Sequence, residues 1–317
     1  MTTEQKVYQL LINHSNTYLS GEEISNQLGL SRTAIWKAIN NLKDKGYEIL
    51  SKPRFGYQLV DNGKLDENFI HKWMKSNFAL TLLDTVDSTN TQAKLLAAAD
   101  KPQVIIANEQ TAGYGRYRRD FSSPKNDGIY MSILLSNQPD ETLNPGLLTT
   151  ATAMAIYYAI QECFHISPQI KWVNDILINN KKICGILTEG VADLESGYIS
   201  RIVVGIGINY TTPLSDFPQD IQDKVGSLRE LASKHHVSRN HFIASILNHF
   251  SVLYQDYQAG AFMDEYRKAS IVIGKEVTIQ QASKTITGTV ATINNDGNLI
   301  LTDGQIFTSG EVTKIRY

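Results

Sequence analysis

The sequence predicts a multidomain α+β protein: an N-terminal winged helix-turn-helix, a central mixed-sheet α/β domain and a small C-terminal β-barrel. Three observations predict it. Two helix-capping boxes and a short basic helix are crowded ahead of Gly46 and are followed by two strand-like runs. The middle of the chain carries strand after strand with few helices between them. The end of the chain holds short strands separated by Asn-Asp-Gly and Asp-Gly turns. At roughly 100 to 200 residues per domain, 317 residues leave room for two or three domains, placed at 1–63, 64–270 and 271–317.

In the first domain Thr2 with Gln5 makes a capping box, and Val7, Leu10 and Leu11 recur at helical spacing behind it. Ser20 with Glu23 repeats the box, Ile24 and Leu28 supply the buried stripe, and Gly29 stops this second helix. Ser31 caps a third helix. There Ile35, Ala38, Ile39 and Leu42 face inward, leaving Arg32, Thr33, Trp36, Lys37 and Asn40 on the other side. Tyr47–Leu50 and Tyr57–Val60 then read as two strands joined by a wing that carries Lys52 and Arg54. Between Ser31 and Gln58 cations outnumber acids by four, although the whole chain has a net charge of −2. A helix of this kind fits the major groove, and wing cations can neutralise phosphates. The residues expected at DNA are therefore Arg32, Thr33, Trp36, Lys37, Asn40, Lys52 and Arg54.

Past Asn62-Gly63-Lys64 the pattern changes to strands at Val104–Ala107, Ile129–Leu135, Ile176–Ile178, Ile183–Thr188 and Tyr198–Val204. A largely buried helix is expected over Leu147–Cys163, and turns at Asn179-Asn180-Lys181 and Glu195-Ser196-Gly197. Consecutive strands with few helices argue for a mixed sheet. Four polar segments interrupt this scaffold where strands end. Asp87-Ser88-Thr89-Asn90 precedes a helix expected over Thr91–Ala99. The Asn108–Arg119 loop has glycines that free the backbone and three arginines that can grip phosphate; without hydrophobic anchors it is expected to move until an anion arrives. Lys171-Trp172-Val173-Asn174-Asp175 is the third segment, and the fourth joins Lys182 to Gly205-Ile206-Gly207-Ile208-Asn209. The arginine loop lacks the third glycine of a dinucleotide fingerprint, and the chain has no P-loop motif. Asn240–Tyr257 reads as an amphipathic helix stopped by Gly260. The final strands are expected at Glu276–Ile279, Thr287–Ile293, Asn298–Leu301 and Gln305–Thr308.

Taken together, Asp-Ser-Thr-Asn, Gln-Thr-Ala-Gly-x-Gly-Arg, Lys-Trp-x-Asn-Asp, Lys-x-x-Gly-Ile-Leu and Gly-Ile-Gly-Ile-Asn, in this order behind a winged helix, resemble the bifunctional biotin protein ligases that also repress the biotin operon. The resemblance covers essentially the whole chain. It implies a class II synthetase-like catalytic domain, an SH3-like C-terminal barrel, and biotin, ATP and Mg²⁺ as reactants and cofactor. The implied catalytic residues are Lys182, Arg116, Arg119, Lys171 and Asp175. The implied ligand-binding set is Ser88, Thr89, Asn90, Gln110, Gly113, Tyr114, Gly115, Arg116, Lys182, Gly185 and Asn209. No residue is implied as a direct metal ligand. The implied partners are the biotin carboxyl carrier protein of acetyl-CoA carboxylase, which supplies the acceptor lysine, operator DNA, and a second copy of the chain when the adenylate is bound. Two positions depart from the family pattern: Tyr114 stands where the loop usually has its first arginine, and Val173 where a proline is usual.

Other readings are weaker. A transcription factor that only senses a ligand leaves Arg116, Lys171 and Lys182 without a task, and a relative of the lipoate ligases would normally lack the winged helix. The seven histidines show no His-Glu-x-x-His spacing, so zinc is not expected. Cys163 and Cys184 are too few for a disulfide framework and read as packed thiols. No apolar run reaches the about 18 residues that a membrane span needs, and a cytoplasmic protein is expected.

Overall fold

The computed structural model describes residues 1–15, 17–97, 99–137, 143–192, 198–281 and 284–316. Contacts divide the chain into two compact units, one of Met1–Met74 with Ser238–His241, the other of Lys75–Val237 with Phe242–Tyr317.

The first unit contains helices α1 (Thr3–Asn13), α2 (Gly21–Leu28) and α3 (Arg32–Asp44), a hairpin of β1 (Glu48–Lys52) and β2 (Gly56–Val60), and α4 (Glu67–Trp73). Both capping boxes form: the Thr2 amide donates to Gln5 Oε1 at 2.8 Å and the Ser20 amide to Glu23 Oε2 at 2.7 Å, with each cap oxygen accepting in return. Gly29 closes α2 at φ +65°, a left-handed conformation that costs glycine little. Val7, Leu11, Ile12, Ile24, Ile35, Ile39, Leu42, Ile49, Leu59 and Phe69 form one core. Each such side chain contributes roughly 1.5–3 kcal/mol on burial, and Leu11→Ala would remove about 2–5 kcal/mol. The unit runs past residue 63 because α4 belongs to it; its short pattern gave no signal in the sequence.

The second unit is built on a seven-stranded sheet in the order β3-β4-β5-β9-β8-β7-β6. Its elements are β3 (Ala79–Val86), α5 (Thr89–Leu95), β4 (Gln103–Gln110), β5 (Gly128–Ser136), α6 (Pro145–Phe164), β6 (Gln169–Lys171), β7 (Asp175–Ile178), β8 (Lys181–Ala192) and β9 (Ile199–Asn209). Only β3 and β4 pair in parallel; every other neighbouring pair is antiparallel, so the sheet is mixed. β5 is buried from Gly128 through Leu135, and α6 is apolar almost all round, which is the composition of elements covered on both faces. Helices α7 (Arg229–His235), α8 (Arg239–Tyr254) and α9 (Met263–Ala269) follow. The C-terminal domain, expected as a barrel, is a five-stranded antiparallel sheet of β10 (Glu276–Gln281), β11 (Lys284–Ile293), β12 (Leu299–Leu301), β13 (Ile306–Phe307) and β14 (Glu311–Arg316), with β13 and β14 at its two edges.

Several expectations are corrected. Helix α5 starts at Thr89, not Thr91, and ends at Leu95, short of Ala99, because Leu96 is already extended. Asn108–Gln110 lie inside β4, and β9 runs on past Val204, so that Gly205–Asn209 form its C-terminal end. The Gly205 and Gly207 positions are tight. A Cβ on Gly205 would fall 2.2 Å from Asn90 Oδ1, and one on Gly207 2.5 Å from the Phe121 ring. The glycines let α5 and the arginine loop press directly onto the sheet. Asn179 and Asn180, at φ +51° and +62°, make the β7–β8 hairpin turn. The turn expected at 195–197 lies outside the described residues. Cys163 and Cys184 are free and buried, and burial pushes both thiols up, that of Cys163 to about 11.

Candidate functional site

A cavity of about 200 Å³ opens where α5, the arginine loop, β8 and β9 converge. Its floor is a chain of neutral polar groups. The Thr89 amide donates to Gln110 Oε1 at 2.8 Å, and Gln110 Nε2 donates to Ser123 Oγ at 2.9 Å. Ser132 Oγ lies 2.7 Å from Thr89 Oγ1 and 2.6 Å from Asn90 Oδ1, while Asn90 Nδ2 donates to Glu189 Oε2 at 2.7 Å. Each buried polar atom here is oriented by the next, so the floor is set before any ligand arrives.

The arginine loop is hydrogen-bonded at several points along its length. Gly113 O accepts from the Phe121 amide at 2.9 Å, the Gly115 amide donates to Arg119 O at 2.8 Å, and the Tyr114 hydroxyl donates to Glu189 Oε2 at 3.0 Å. Gly113 tolerates no side chain, since a Cβ would meet Ser123 Oγ at 2.7 Å and Phe121 O at 2.8 Å. Arg116 Nη1 donates to Gly310 O at 2.8 Å and lies 3.4 Å from Asn174 Oδ1. Arg119 pairs with Glu311 Oε1 at 2.6 Å.

Lys182 faces the same cavity from β8, and its Nζ is 2.7 Å from Asp175 Oδ1, an ion pair without hydrogen-bond alignment. Gly185 gives Lys182 its place: a Cβ there would stand 3.2 Å from Nζ. Ser88, Thr89, Asn90, Gln110, Tyr114, Gly115, Arg116, Arg119, Asp175, Lys182 and Gly185 thus all line one cavity.

Lys171 and Asn209 do not line it. They line an adjoining cavity of about 630 Å³, which shares Arg119, Asp175, Lys182 and Glu311 with the first. Burial lowers the Lys171 ammonium below its usual value and Lys182 adds to the lowering, while Asp175 opposes it. The Asn209 side chain holds backbone, donating to Gly226 O at 2.9 Å. Trp172 is buried with its indole N–H on Gly297 O at 2.9 Å. Among the described residues, no group of three or more His, Cys, Asp or Glu could hold a metal ion.

Sequence reasoning missed Ser132, Glu189, Lys94 and the Gly310–Glu311 edge, and gave Asn174, inside its third segment, no role of its own. Ser132 had left a signal, as a hydroxyl inside an apolar strand. Gly310 and Glu311 had none, because only the fold brings them to the loop.

In the first unit, Arg32, Thr33, Trp36 and Lys37 are exposed on α3 and Asn40 is half-buried, while Lys52 and Arg54 are exposed on the wing. A cleft between α3 and the wing is lined by Arg32, Ile35, Lys52 and Arg54. Arg32 is 3.4 Å from Glu22 with both side chains mostly in solvent, a pair that adds little stability.

Three stretches match known families: the HTH domain over residues 3–58, the biotin/lipoate A/B protein ligase family over 82–209, and the biotin protein ligase C-terminal domain over 272–314. The bifunctional ligase/repressor BirA of Bacillus subtilis is 35% identical over 310 residues, covering 95% of this chain and 94% of that protein. That of Escherichia coli K12 is 25% identical over 98% of this chain and 97% of its own. The structure of the Aquifex aeolicus biotin protein ligase in complex with biotin and ATP aligns with a TM-score of 0.63 and 26% identity, covering 75% of this chain and 98% of that one. The chain belongs to the biotin/lipoate A/B protein ligase family. With an HTH domain ahead of the ligase domain, it is of the bifunctional ligase/repressor type.

Proposed function

We propose that the chain activates biotin with ATP to biotinoyl-5′-AMP and transfers the biotinoyl group to one lysine of the biotin carboxyl carrier protein of acetyl-CoA carboxylase. In its adenylate-bound form it represses the biotin operon as a homodimer. The observation that carries this reading is the convergence of Arg116, Arg119 and Lys182 on a small cavity with a neutral polar floor, continuous in its lining with a larger one.

Biotin enters the smaller cavity, its ureido ring on Ser88, Thr89, Asn90 and Gln110 and its carboxylate toward Lys182 and the Tyr114–Arg116 backbone. ATP takes the larger cavity, with Lys171 and Asn209 on its side. The carboxylate oxygen attacks the α-phosphorus and pyrophosphate leaves. The acceptor amine then attacks the anhydride carbonyl and AMP leaves. Neither step needs an enzyme nucleophile; both need cations held where charge develops, and Lys182, Arg116 and Arg119 supply them. Asp175 orients Lys182.

Mg²⁺ neutralises phosphate charge when bound. The chain offers Asp120, Asp175 and Glu311 at the cavity walls but no three-ligand cluster among the described residues. That fits an ion carried mainly by phosphate oxygens and water.

A single winged helix gives non-specific affinity of only about 10⁻⁴ to 10⁻⁶ M at physiological salt, so two copies on a palindromic operator supply the specificity. Among the described residues no helix is long and apolar enough to cross a membrane; we place the protein in the cytoplasm, where its acceptor and DNA are found.

The test is incubation with ATP, Mg²⁺ and either biotin or lipoate, reading pyrophosphate release and label on a carrier domain. Sedimentation of the apo and adenylate-bound forms on operator DNA tests the dimer. Release with lipoate and none with biotin would overturn the ligase assignment, and equal dimerisation of both forms would overturn the coupling.

A further inference from the structure

Phe55 sits at the tip of the wing with 56% of its surface in solvent. The wing is short and firmly built around it. Lys52 pairs with Gly56 across the hairpin, so the tip is Pro53, Arg54 and Phe55 alone, and the Phe55 amide donates to Lys52 O at 3.0 Å. The base of the wing is pressed against a third segment. The Leu19 and Tyr57 amides donate to each other's carbonyls at 2.9 and 2.8 Å, and a Cβ on Gly56 would fall 1.9 Å from Leu19 O, so only glycine lets the two backbones meet. On the other side Lys43 of α3 donates to Ser51 Oγ at 3.1 Å. The ring is therefore presented on a fixed support beside the basic helix.

An exposed ring on a fixed support has apolar area to bury, and its surroundings decide against what. Lys52 Nζ lies 4.3 Å from the ring centre, a cation–π contact, and Tyr18 meets the ring edge-on at 6.4 Å. From Ile49 to Val60 the chain carries Lys52 and Arg54 and no carboxylate. The cleft between wing and α3 adds Arg32, and Glu22 on its wall is paired with that arginine. An apolar tip rimmed by cations complements a polyanion with an apolar slot. The minor groove of a duplex is such a slot, about 6 Å wide between two rows of phosphates. Proteins that bind it insert apolar side chains, phenylalanine among them, between base steps and bend the duplex.

We infer that Phe55 is an apolar wedge that enters the minor groove beside the bases faced by α3, with Lys52 and Arg54 on the flanking phosphates. The ring makes no hydrogen bond to a base. It reads sequence through the ease with which a base step opens, and pyrimidine–purine steps such as TA and CA/TG open most readily. The wing thereby gains a part in specificity that phosphate contacts alone do not carry. This role rests on the DNA-binding reading above and goes beyond it.

The test uses the full chain loaded with synthetic biotinoyl-adenylate. Duplexes are selected from a random pool with the parent protein, and the best is labelled at its two ends with a donor and an acceptor dye. Phe55→Ala should weaken binding about tenfold or more, the range for returning roughly half of a phenyl ring to water, and should lower the bend read by energy transfer. The slope of log K against log salt should stay that of the parent, because an uncharged ring releases no counterions. Arg54→Gln should instead lower that slope by about one and keep the bend. Phe55→Leu, which keeps an apolar wedge, should recover most of the affinity and the bend. In a second selection made with Phe55→Ala, the pyrimidine–purine step under the wing should drop out of the preferred sites. Unchanged affinity and bend in Phe55→Ala would overturn the wedge and leave the ring to a protein partner, with DNA binding itself intact. A lowered salt slope in Phe55→Ala would mean that the ring only places Lys52, and also overturns the wedge. If the loaded parent selects no duplex, the DNA-binding reading fails and the wedge with it.

Discussion

The winged helix and the arginine pocket both gather cations, and they keep them in different ways. On the winged helix Lys37, Lys52 and Arg54 face solvent, and the pair that Arg32 makes with Glu22 is mostly exposed. In the pocket Arg116 is held by Gly310 O, Arg119 by Glu311 and Lys182 by Asp175. A duplex presents a long row of phosphates, so loose cations suffice and binding is driven by counterion release. A single reacting phosphate needs donors already in position. On the proposed reading the contacts that hold the pocket's cations are placeholders, exchanged for phosphate oxygens when the nucleotide enters.

This contrast can be broken from either side. The largest effect is expected at Lys182: Lys182→Ala should slow adenylate formation by about 10² to 10³, as loss of one donor aimed at developing charge does, read as the single-turnover rate of pyrophosphate release. A loss below about threefold would mean that Lys182 is only a surface lysine.

Next comes Gly205→Ala, whose new methyl would drive into the Asn90 amide at 2.2 Å. Overpacking of this kind costs about 1–3 kcal/mol, measurable by denaturant unfolding, and displacement of Asn90 should weaken biotin binding about tenfold or more. Unchanged stability and affinity would show that α5 can move off the sheet freely.

On the other side, Lys37→Ala should weaken operator binding across all sequences and reduce the slope of log K against log salt by about one. Adenylation should be untouched.

The smallest effect concerns pH. The Glu189 carboxyl lies below its unfolded value because its hydrogen bonds with Lys94 and Asn90 outweigh burial. Its contribution to stability is therefore fully present above the unfolded value, about 4.3, and is lost as pH falls through the lower folded value. Melting temperatures of the parent and Glu189→Gln should differ at pH 7 and converge as the pH falls into the acid range; a difference that grows as the pH falls would contradict the sign.

The same contrast explains what could be read from the sequence. In the winged helix Thr2, Gln5, Ser20, Glu23, Gly29 and Ser31 act within one turn of themselves, and all perform as read. In the pocket the cations were legible as residue types, but their holders were not. Gly310 and Glu311 reach Arg116 and Arg119 across nearly two hundred positions, through a fold no local pattern encodes. Strand β3 was missed because it is an edge strand of half-buried residues without clean alternation. The start of α5 was misplaced because Ser88, at its cap position, makes no side-chain cap bond. The paired glycines of Gly-Ile-Gly-Ile-Asn were legible as a motif, yet their reason is the close approach of Asn90 and Phe121.

The most direct test crosses the two regions. Lys182→Ala and Lys37→Ala are each assayed for biotin-dependent pyrophosphate release, and for operator binding with synthetic biotinoyl-adenylate supplied. The account predicts a crossed result: Lys182→Ala loses release by about 10² or more and, once loaded, binds operator close to the parent, whereas Lys37→Ala releases pyrophosphate normally and binds operator weakly. If both variants lose both activities in proportion, the chain does not divide its work between held and free cations, and the account is wrong.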